Sequence, residues 1–146
     1  MKNFILAIFL FFTANVAFSA CEFDVTVNDA LAFSTTDMNV ESSCESITIN
    51  LSHEGSLPAA AMGHNWVLTA TDQVDPVAIA GISTGLAGNY LPADDARIIA
   101  ATKIIGGGES TSITFSIDKL DAGGDYTFFC SFPGHWAVMR GKFNIS

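Results

Sequence analysis

One stretch carries the strongest fold signal, Tyr126-Thr-Phe-Phe-Cys130-Ser-Phe-Pro-Gly-His135-Trp-Ala-Val-Met139. Its first five residues form a nearly continuous apolar run, which is typical of a strand near the centre of a sheet. Pro133-Gly134 then predicts a tight turn, and a further strand is predicted to begin near Met139. The stretch therefore predicts two strands joined by a short loop that carries a thiol, an imidazole and a thioether.

The rest of the chain also has the pattern of β-structure. Polar and apolar residues alternate with period two in several short segments, which predicts half-buried strands. These segments are residues 22–28, 46–52, 65–71, 111–117 and 140–145. Gly, Asp and Ser clusters separate them, and short strands spaced by turn signals indicate an antiparallel sandwich or barrel.

Residues 72–92 interrupt this pattern. They are rich in Ala, Gly and Asp and show no alternation. Asp75-Pro76 predicts the capped start of a short helix that carries Val77, Ile79, Ala80 and Ile82. We interpret the segment as a helical insertion that leaves the sheet and returns to it within one domain.

The N-terminus has the layout of a secretory signal peptide. Lys2 gives a positive start, residues 4–12 are all apolar, and Ala17 and Ser19 place small residues before a cut at Ala20. The alternatives are a membrane anchor or a buried helix, but nine apolar residues are too few to span a hydrocarbon core of roughly 30 Å. We predict a signal peptide over residues 1–19 and one exported domain over residues 20–146.

Charge and composition exclude two function classes. The formal net charge is −9, and loss of Lys2 with the leader would lower it to −10. Such an acidic chain does not bind a phosphate backbone by counterion release, so no nucleic-acid partner is expected. Aromatic residues make up 11% of the chain and charged residues 14%, a composition that argues against disorder.

The chain has three cysteines, and export would permit disulfides. Pairing Cys21 with Cys44 would close a loop of about two dozen residues and stabilise the fold by roughly 3 kcal/mol. In the alternative, Phe18-Ser-Ala-Cys21 serves as a lipoprotein cleavage box and Cys21 carries lipid. Phe18 fits such a box poorly, and lipidation would leave Cys44 without a partner. With Cys21 and Cys44 paired, Cys130 remains for another role.

The donors of the loop indicate a copper site. Upstream, Gly63-His64 sets a second imidazole at the start of a predicted strand. Soft sulfur and imidazole donors favour copper, whereas Ca²⁺ and Mg²⁺ take oxygen ligands and structural zinc prefers several thiolates or a Cys/His foursome. Two histidines and a cysteine with a weak axial methionine form the blue-copper pattern. His64, Cys130, His135 and Met139 are therefore predicted to hold one copper ion.

Three function classes use these residues differently. An electron carrier cycles copper between Cu(I) and Cu(II) and needs no open position for a substrate, so it is not an enzyme. A copper buffer or chaperone would use the same donors without fast electron exchange. A thiol enzyme would use Cys130 and His135, but no orienting acid is evident. The third histidine, His53, matches no ligand spacing and is predicted to be a packed, partly buried residue.

Four segments carry a family resemblance. They are Leu51-Ser-His-Glu-Gly55, Met62-Gly-His-Asn-Trp-Val67, Thr102-Lys-Ile-Ile-Gly106 and Phe128-Phe-Cys-Ser-Phe-Pro-Gly-His135. With them the chain resembles the cupredoxin family of blue copper proteins over residues 20–146, and its Cys-x₄-His gap is longer than that of plastocyanin-like members. The resemblance implies an all-β, eight-stranded Greek-key β-sandwich with a helical insertion around residues 72–92. It also implies a Cys21–Cys44 disulfide and single-electron transfer in the periplasm.

The resemblance also implies roles for single residues at the metal. The implied metal contacts are His64 Nδ1, Cys130 Sγ and His135 Nδ1 in one plane, Met139 Sδ as a weak axial ligand, and the carbonyl oxygen of Gly63 opposite it. The backbone N–H groups of Asn65 and Phe132 would donate to the sulfur of Cys130 and help to set the potential.

An apolar patch around the edge of His135 is implied as the route for electrons. Its residues are Leu57, Ala61, Met62, Phe132, Pro133 and Ala137. Trp136 follows His135 directly and either enlarges this patch, shields the copper, shifts its potential or packs against the loop. The implied partners of the monomer are c-type cytochromes or periplasmic reductases and dehydrogenases.

Overall fold

The computed structural model describes residues 21–146, so the predicted signal peptide lies outside the described residues. Eight strands are present in this part of the chain, and they form a three-stranded and a five-stranded sheet. The predicted eight-stranded sandwich is therefore confirmed. Among residues 21–146, no helix has the length and apolar character needed to cross a bilayer.

The strands are β1 Glu22–Val27, β2 Asp37–Val40, β3 Ser46–His53, β4 Val67–Ala70, β5 Ala100–Ala101, β6 Ser110–Ser116, β7 Tyr126–Phe129 and β8 Arg140–Ile145. Six of the eight strands coincide with predicted segments to within two residues at each end, whereas β2 and β5 were not predicted. The smaller sheet has the order β1-β3-β6, and the larger has the order β2-β8-β7-β4-β5. Strands β7 and β8 are adjacent and antiparallel, as the opening stretch predicts.

Two strand pairs differ from the predicted antiparallel arrangement. Strand β1 runs parallel to β3, and β2 runs parallel to β8. The cause is the path of the chain, because β2 lies in the sheet opposite to β1 and β3. After crossing to the other sheet and back, the chain enters β3 in the direction of β1. The remaining pairs are antiparallel.

The insertion is helical, but its helix begins earlier than predicted. A short helix α1 spans Ala59–Met62, and the helix of the insertion, α2, spans Val74–Gly81. Asp75 and Pro76 lie inside the first turn of α2, and the residue at its cap, Gln73, makes no side-chain capping bond. A 3-10 turn over Thr71–Gln73 leads directly into α2, and the N–H of Val74 donates to the carbonyl of Thr71. Because this turn begins the helical path before Asp75, the helix needs no capping side chain there.

The main core fills the space between the two sheets. Trp66 is fully buried there, and its ring centroid lies about 6 Å from those of Phe115, Phe128 and Phe143. A smaller cluster joins the larger sheet to the insertion, and its buried members are Val67, Val74, Val77, Ala78 and Phe129. The sheet thus forms a fixed support for the ends of β4 and β7, where the predicted ligands lie.

A disulfide joins Cys21 to Cys44, with 5.7 Å between their Cα atoms. It ties the start of β1 to the connection before β3. We expect the double variant Cys21→Ala/Cys44→Ala to lower the free energy of unfolding by roughly 3 kcal/mol, because the unfolded chain loses its loop constraint. Urea unfolding measures this loss. An unfolding free energy equal to that of the wild type would show that the bridge does not limit the unfolded chain.

Candidate metal centre

The loop between β7 and β8 is closed by its own backbone. The N–H of Cys130 donates to the carbonyl of Met139 at 3.1 Å, and the N–H of Met139 donates to the carbonyl of His135 at 2.8 Å. Gly134 has a φ of +84°, a conformation that favours glycine, and this allows the chain to reverse directly before His135. Backbone bonds alone therefore bring the ends of the loop together.

His64 reaches the same place from the residues just before β4, the strand that pairs with β7 in the larger sheet. Its backbone exchanges two hydrogen bonds with Ile105, at 3.0 and 2.9 Å. A Cβ at Gly63 would lie 2.4 Å from the carbonyl oxygen of Ala59, so only glycine lets α1 approach this closely. The glycine before His64 therefore permits the close approach of α1 to this segment.

Three donor atoms converge between these segments. Cys130 Sγ lies 3.7 Å from His64 Nδ1 and 3.7 Å from His135 Nδ1. All three donor atoms lie within 4.8 Å of one another, and all three residues are buried. The sulfur also lies 3.9 Å from the carbonyl oxygen of Gly63. The structure therefore brings together the three equatorial residues that the sequence predicts.

The ring orientation of His64 is set by a backbone carbonyl. Its Nε2 lies 2.8 Å from the oxygen of Asn28, which can only accept, so Nε2 carries the proton. In the neutral ring, Nδ1 then has a free lone pair on the side of Cys130. Such a partner on the far nitrogen is the usual way in which proteins orient a metal-binding histidine.

His53 packs behind His64. Its ring is 2% exposed and stacks on that of His64, with centroids 5.1 Å apart. Its Nδ1 accepts from the N–H of Gly55 at 3.0 Å, so the proton lies on Nε2, which contacts the carbonyl oxygen of Met62 at 3.0 Å. The predicted packing role is confirmed, but the residue is fully rather than partly buried, and His53 supports the ring of His64.

Burial determines the protonation of the donors. It raises the pKa of the Cys130 thiol to about 11, although hydrogen bonds with the backbones of Asn65 and Phe132 act in the opposite direction. Burial, together with the neighbouring His64, lowers the pKa of His135 to about 4. Burial also lowers the pKa of His64. At neutral pH both imidazoles are neutral donors, and the thiol is protonated until a metal displaces its proton.

The donor set fits copper. Bonds of about 2.0–2.3 Å from one ion to nitrogen and sulfur place two such donors roughly 3.7 Å apart, which matches both observed separations. One thiolate with two imidazoles and no nearby carboxylate in the cluster is a soft site that Ca²⁺ and Mg²⁺ do not favour. The predicted axial residue, Met139, is 1% exposed in the main core.

A buried network holds the loop to the segment after His64. The N–H of Ser131 donates to Asn65 Oδ1 at 2.9 Å, and Asn65 Nδ2 donates to Ser131 Oγ at 2.9 Å. The hydroxyl of Ser131 in turn donates to the carbonyl of Asn89 at 2.8 Å. Asn65 therefore links β4 to the ligand loop, and Asn89 links both to the insertion.

Trp136 lies against the insertion. Its half-buried ring packs on the smaller cluster, which includes Val74, Val77 and Ala78 of α2. Its carbonyl accepts from Arg140 Nε at 2.7 Å. Of the roles that the sequence leaves open, packing is the one that these contacts support.

Several supporting residues were not predicted from the sequence. The backbone carbonyls of Asn28 and Asn89 accept from His64 and Ser131, and such contacts leave no residue-type signal. Tyr90 contacts Phe132 from the insertion, with ring centroids 5.2 Å apart. Gly, Asp and Ser clusters mark the turns in the sequence, but they do not tell which turn reaches the metal site.

Comparison with known proteins agrees with this geometry. A family model described as copper binding proteins, plastocyanin/azurin family, matches residues 19–146. The chain belongs to the plastocyanin/azurin family. The azurin of Bordetella pertussis is 47% identical over 140 residues, which cover 96% of this chain and 93% of that protein. The azurin of Pseudomonas denitrificans is 50% identical over 125 residues, covering 86% and 98%.

A solved structure of an azurin shows the same fold. It is the azurin Az-iso2 of the obligate methylotroph Methylomonas sp. strain J, with a TM-score of 0.84 and 42% sequence identity. The match covers 88% of this chain and 99% of that one. Together with the His64, Cys130 and His135 cluster, these relatives show that the protein is a blue copper electron carrier with one copper site and not an enzyme.

The residues of this plastocyanin/azurin family member prepare the site to bind copper. Neutral His64 and His135 offer their Nδ1 lone pairs, and Cys130 offers its sulfur after losing a proton. Copper supplies one-electron Cu(I)/Cu(II) chemistry when bound. The buried backbone contacts around the loop limit how far the donors can move, which keeps reorganisation small. His135 is 6% exposed, so its edge is the ligand surface nearest to solvent.

Proposed function

We propose that the protein carries single electrons between periplasmic redox proteins and that electrons enter and leave at the edge of His135. The observation that supports this most is the placement of a ligand at the rim of an otherwise buried site. His64 and Cys130 are 0% exposed, whereas His135 is 6% exposed and lies on the outer loop. Tunnelling distance to a partner is then shortest through His135.

Residues around this edge form the proposed docking patch. Its members come from two segments, the region around α1 and the ligand loop, and they are Leu57, Ala61, Met62, Phe132, Pro133 and Ala137. All are apolar, and Leu57, Ala61 and Ala137 are exposed. A small apolar patch that excludes water suits brief contact with a partner redox protein better than stable assembly. The carrier acts as a monomer.

Met139 and Gly63 complete the proposed ligand set. The Met139 backbone is fixed by the hydrogen bond from Cys130, and its side chain is buried in the main core, where a weak thioether ligand is protected from water. The carbonyl of Gly63 lies near the sulfur of Cys130. The backbones of Asn65 and Phe132 reduce the negative charge on that sulfur through hydrogen bonds and so favour the reduced site.

The acidic surface suggests the chemistry of the partner. Residues 20–146 carry a formal charge of −10, so a c-type cytochrome or a reductase with a basic face would be steered toward the protein. A periplasmic location is typical of azurins, and the apolar leader over residues 1–19 supports export of this chain. After cleavage of the leader, residues 20–146 would not insert into the membrane.

Electron exchange with a basic c-type cytochrome tests patch and charge together. We expect Ala137→Lys to lower the second-order rate about tenfold, because a charge in the patch must be desolvated on docking. Ala122→Lys makes the same change in net charge on an exposed residue before β7, at the opposite end of that strand from Cys130, and should alter the rate less than about twofold. Stopped-flow mixing measures both rates.

The salt dependence of the exchange rate and the comparison of Ala137→Lys with Ala122→Lys distinguish docking at His135 from the alternatives. The wild-type rate should fall as ionic strength rises, because steering is screened. Equal rates for the two variants would contradict docking at His135. An exchange too slow to support turnover with any redox protein would favour the copper buffer or chaperone.

A further inference from the structure

The end of the insertion has an unusual backbone. Asn89 and Tyr90 both lie in the left-handed region, with φ of +55° and +49°. Asparagine tolerates this region, but tyrosine is a bulky residue that rarely adopts it. Residues with such a backbone conformation are retained where surrounding contacts hold them in place, and they cluster at functional sites.

Contacts on both sides fix this pair of residues. The side-chain oxygen of Asn89 accepts from the N–H of Ile104 at 2.9 Å, and its carbonyl accepts from Ser131 at 2.8 Å. On the other side, a Cβ at Gly81 would lie 2.0 Å from the carbonyl oxygen of Tyr90, so the end of α2 is pressed against the Tyr90 backbone. The fold therefore fixes the backbone of Tyr90 and the direction in which its side chain leaves that backbone.

That direction places the ring of Tyr90 on the ligand loop. It meets the ring of Phe132 edge to face, with centroids 5.2 Å apart and an interplanar angle of 70°. The ring of Phe132 in turn lies against the imidazole of His135, with centroids 4.5 Å apart and an angle of 32°. Tyr90 and Phe132 are both half-buried, so without Tyr90 the Phe132 ring would have room to turn toward solvent.

We propose that Tyr90 is a positioning residue for the copper site, which acts through Phe132 to hold the imidazole of His135 in one orientation. An edge-to-face ring contact restricts its partner more than a flexible aliphatic contact would. Phe132 is confined between Tyr90 and His135, so its position transmits the restriction. The backbone strain at Tyr90 is retained because it supplies this contact.

The inference rests on His135 as a copper ligand but not on the identity of the redox partner. Residues that orient a metal ligand typically change metal affinity by about 10–100-fold when they are replaced. The expected consequence here is faster release of copper and loss of a fixed Phe132 ring beside His135. The second effect exists without metal, so it can be measured in the metal-free protein.

Three variants test the proposal. Tyr90→Gly removes the ring and also suits the left-handed backbone, which protects the fold. Tyr90→Phe keeps the ring. Asp94→Gly is the matched backbone control, because Asp94 also has a positive φ of +53° but is exposed in the loop that follows. NMR of the metal-free proteins reports the ring-current shift of the His135 ring protons, and a chelator in excess reports the rate of Cu(II) release.

We expect Tyr90→Gly to lose the ring-current shift at His135 and to release Cu(II) roughly tenfold faster, with Tyr90→Phe and Asp94→Gly close to the wild type. The proposal would be overturned if Tyr90→Gly kept the His135 ring-current shifts and the Cu(II) release rate of the wild type. It would also be overturned if Tyr90→Phe showed the same losses as Tyr90→Gly, because the aromatic ring alone would then not hold His135. The same losses in Asp94→Gly would overturn it too, because a change in backbone flexibility would then explain them. Failure of the wild type to bind Cu(II) would instead remove the copper site itself.

Discussion

Replacing Cys130 with serine is expected to abolish the visible colour of the copper-loaded protein and leave the domain folded. The intense absorption of blue copper sites depends on a thiolate bound to Cu(II), and a hydroxyl does not replace it. The fold should survive because serine is similar in size and its hydroxyl would face the same two imidazole nitrogens, 3.7 Å from the present sulfur.

The measurement is an absorption spectrum of each protein with one equivalent of Cu(II), paired with a thermal unfolding curve. The disulfide variant Cys21→Ala/Cys44→Ala is the matched control, because it also removes sulfur but leaves Cys130 intact. It should remain blue and be less stable. A blue Cys130→Ser protein would place the thiolate ligand elsewhere, and loss of colour in the disulfide variant would assign the sulfur ligand to Cys21 or Cys44.

The affinity for Cu(II) is expected to rise about tenfold per pH unit between about pH 7 and 9. The pKa of Cys130 is about 11, so over this range the metal-free thiol is protonated and binding must release one proton. The pKa values of His64 and His135 are lowered, so neither imidazole contributes a proton there. As acid is added toward pH 4, His135 becomes protonated, a second proton must leave, and the dependence becomes steeper.

Competition with a chelator of known, pH-corrected affinity gives the slope, and a pH-stat counts the proton directly. Cys130→Ser is the control, because a variant without the thiol should bind weakly and release no proton above pH 7. An affinity that does not change between pH 7 and 9 would mean that the thiol is already ionised in the metal-free protein. That result would contradict the effect of burial at Cys130.

Much of the β-structure could be predicted because strands such as β3 and β6 alternate between the two faces of their sheet, whereas β7 is a continuous apolar run. Strand β3, for example, has every second residue buried, and the sequence pattern over 46–52 shows this directly. Strand β5 was missed because two residues are too few to show a period, and β2 was missed because its alternation extends over only four residues. The parallel pairing of β1 with β3 was missed because the crossing between sheets is a property of the whole chain path.

The metal site likewise has a part that the sequence predicts and a part that it does not. Cys130, His135 and Met139 share one short loop, so local chain geometry alone predicts that they converge, and Gly63 marks His64 as the fourth candidate. The supports of these ligands come from distant segments. Asn28 is 36 residues from His64 and acts through its carbonyl, and Tyr90 reaches Phe132 only because the end of α2 fixes its backbone. No local pattern reports such contacts.

His64, Cys130 and His135 together form one blue copper centre. The decisive experiment is a titration of the metal-free protein with Cu(II) at pH 7, followed by visible absorption. We expect an intense blue band that grows linearly, stops at one equivalent, is bleached by ascorbate and is restored by an oxidant. A colourless or pale green product at one equivalent would contradict it.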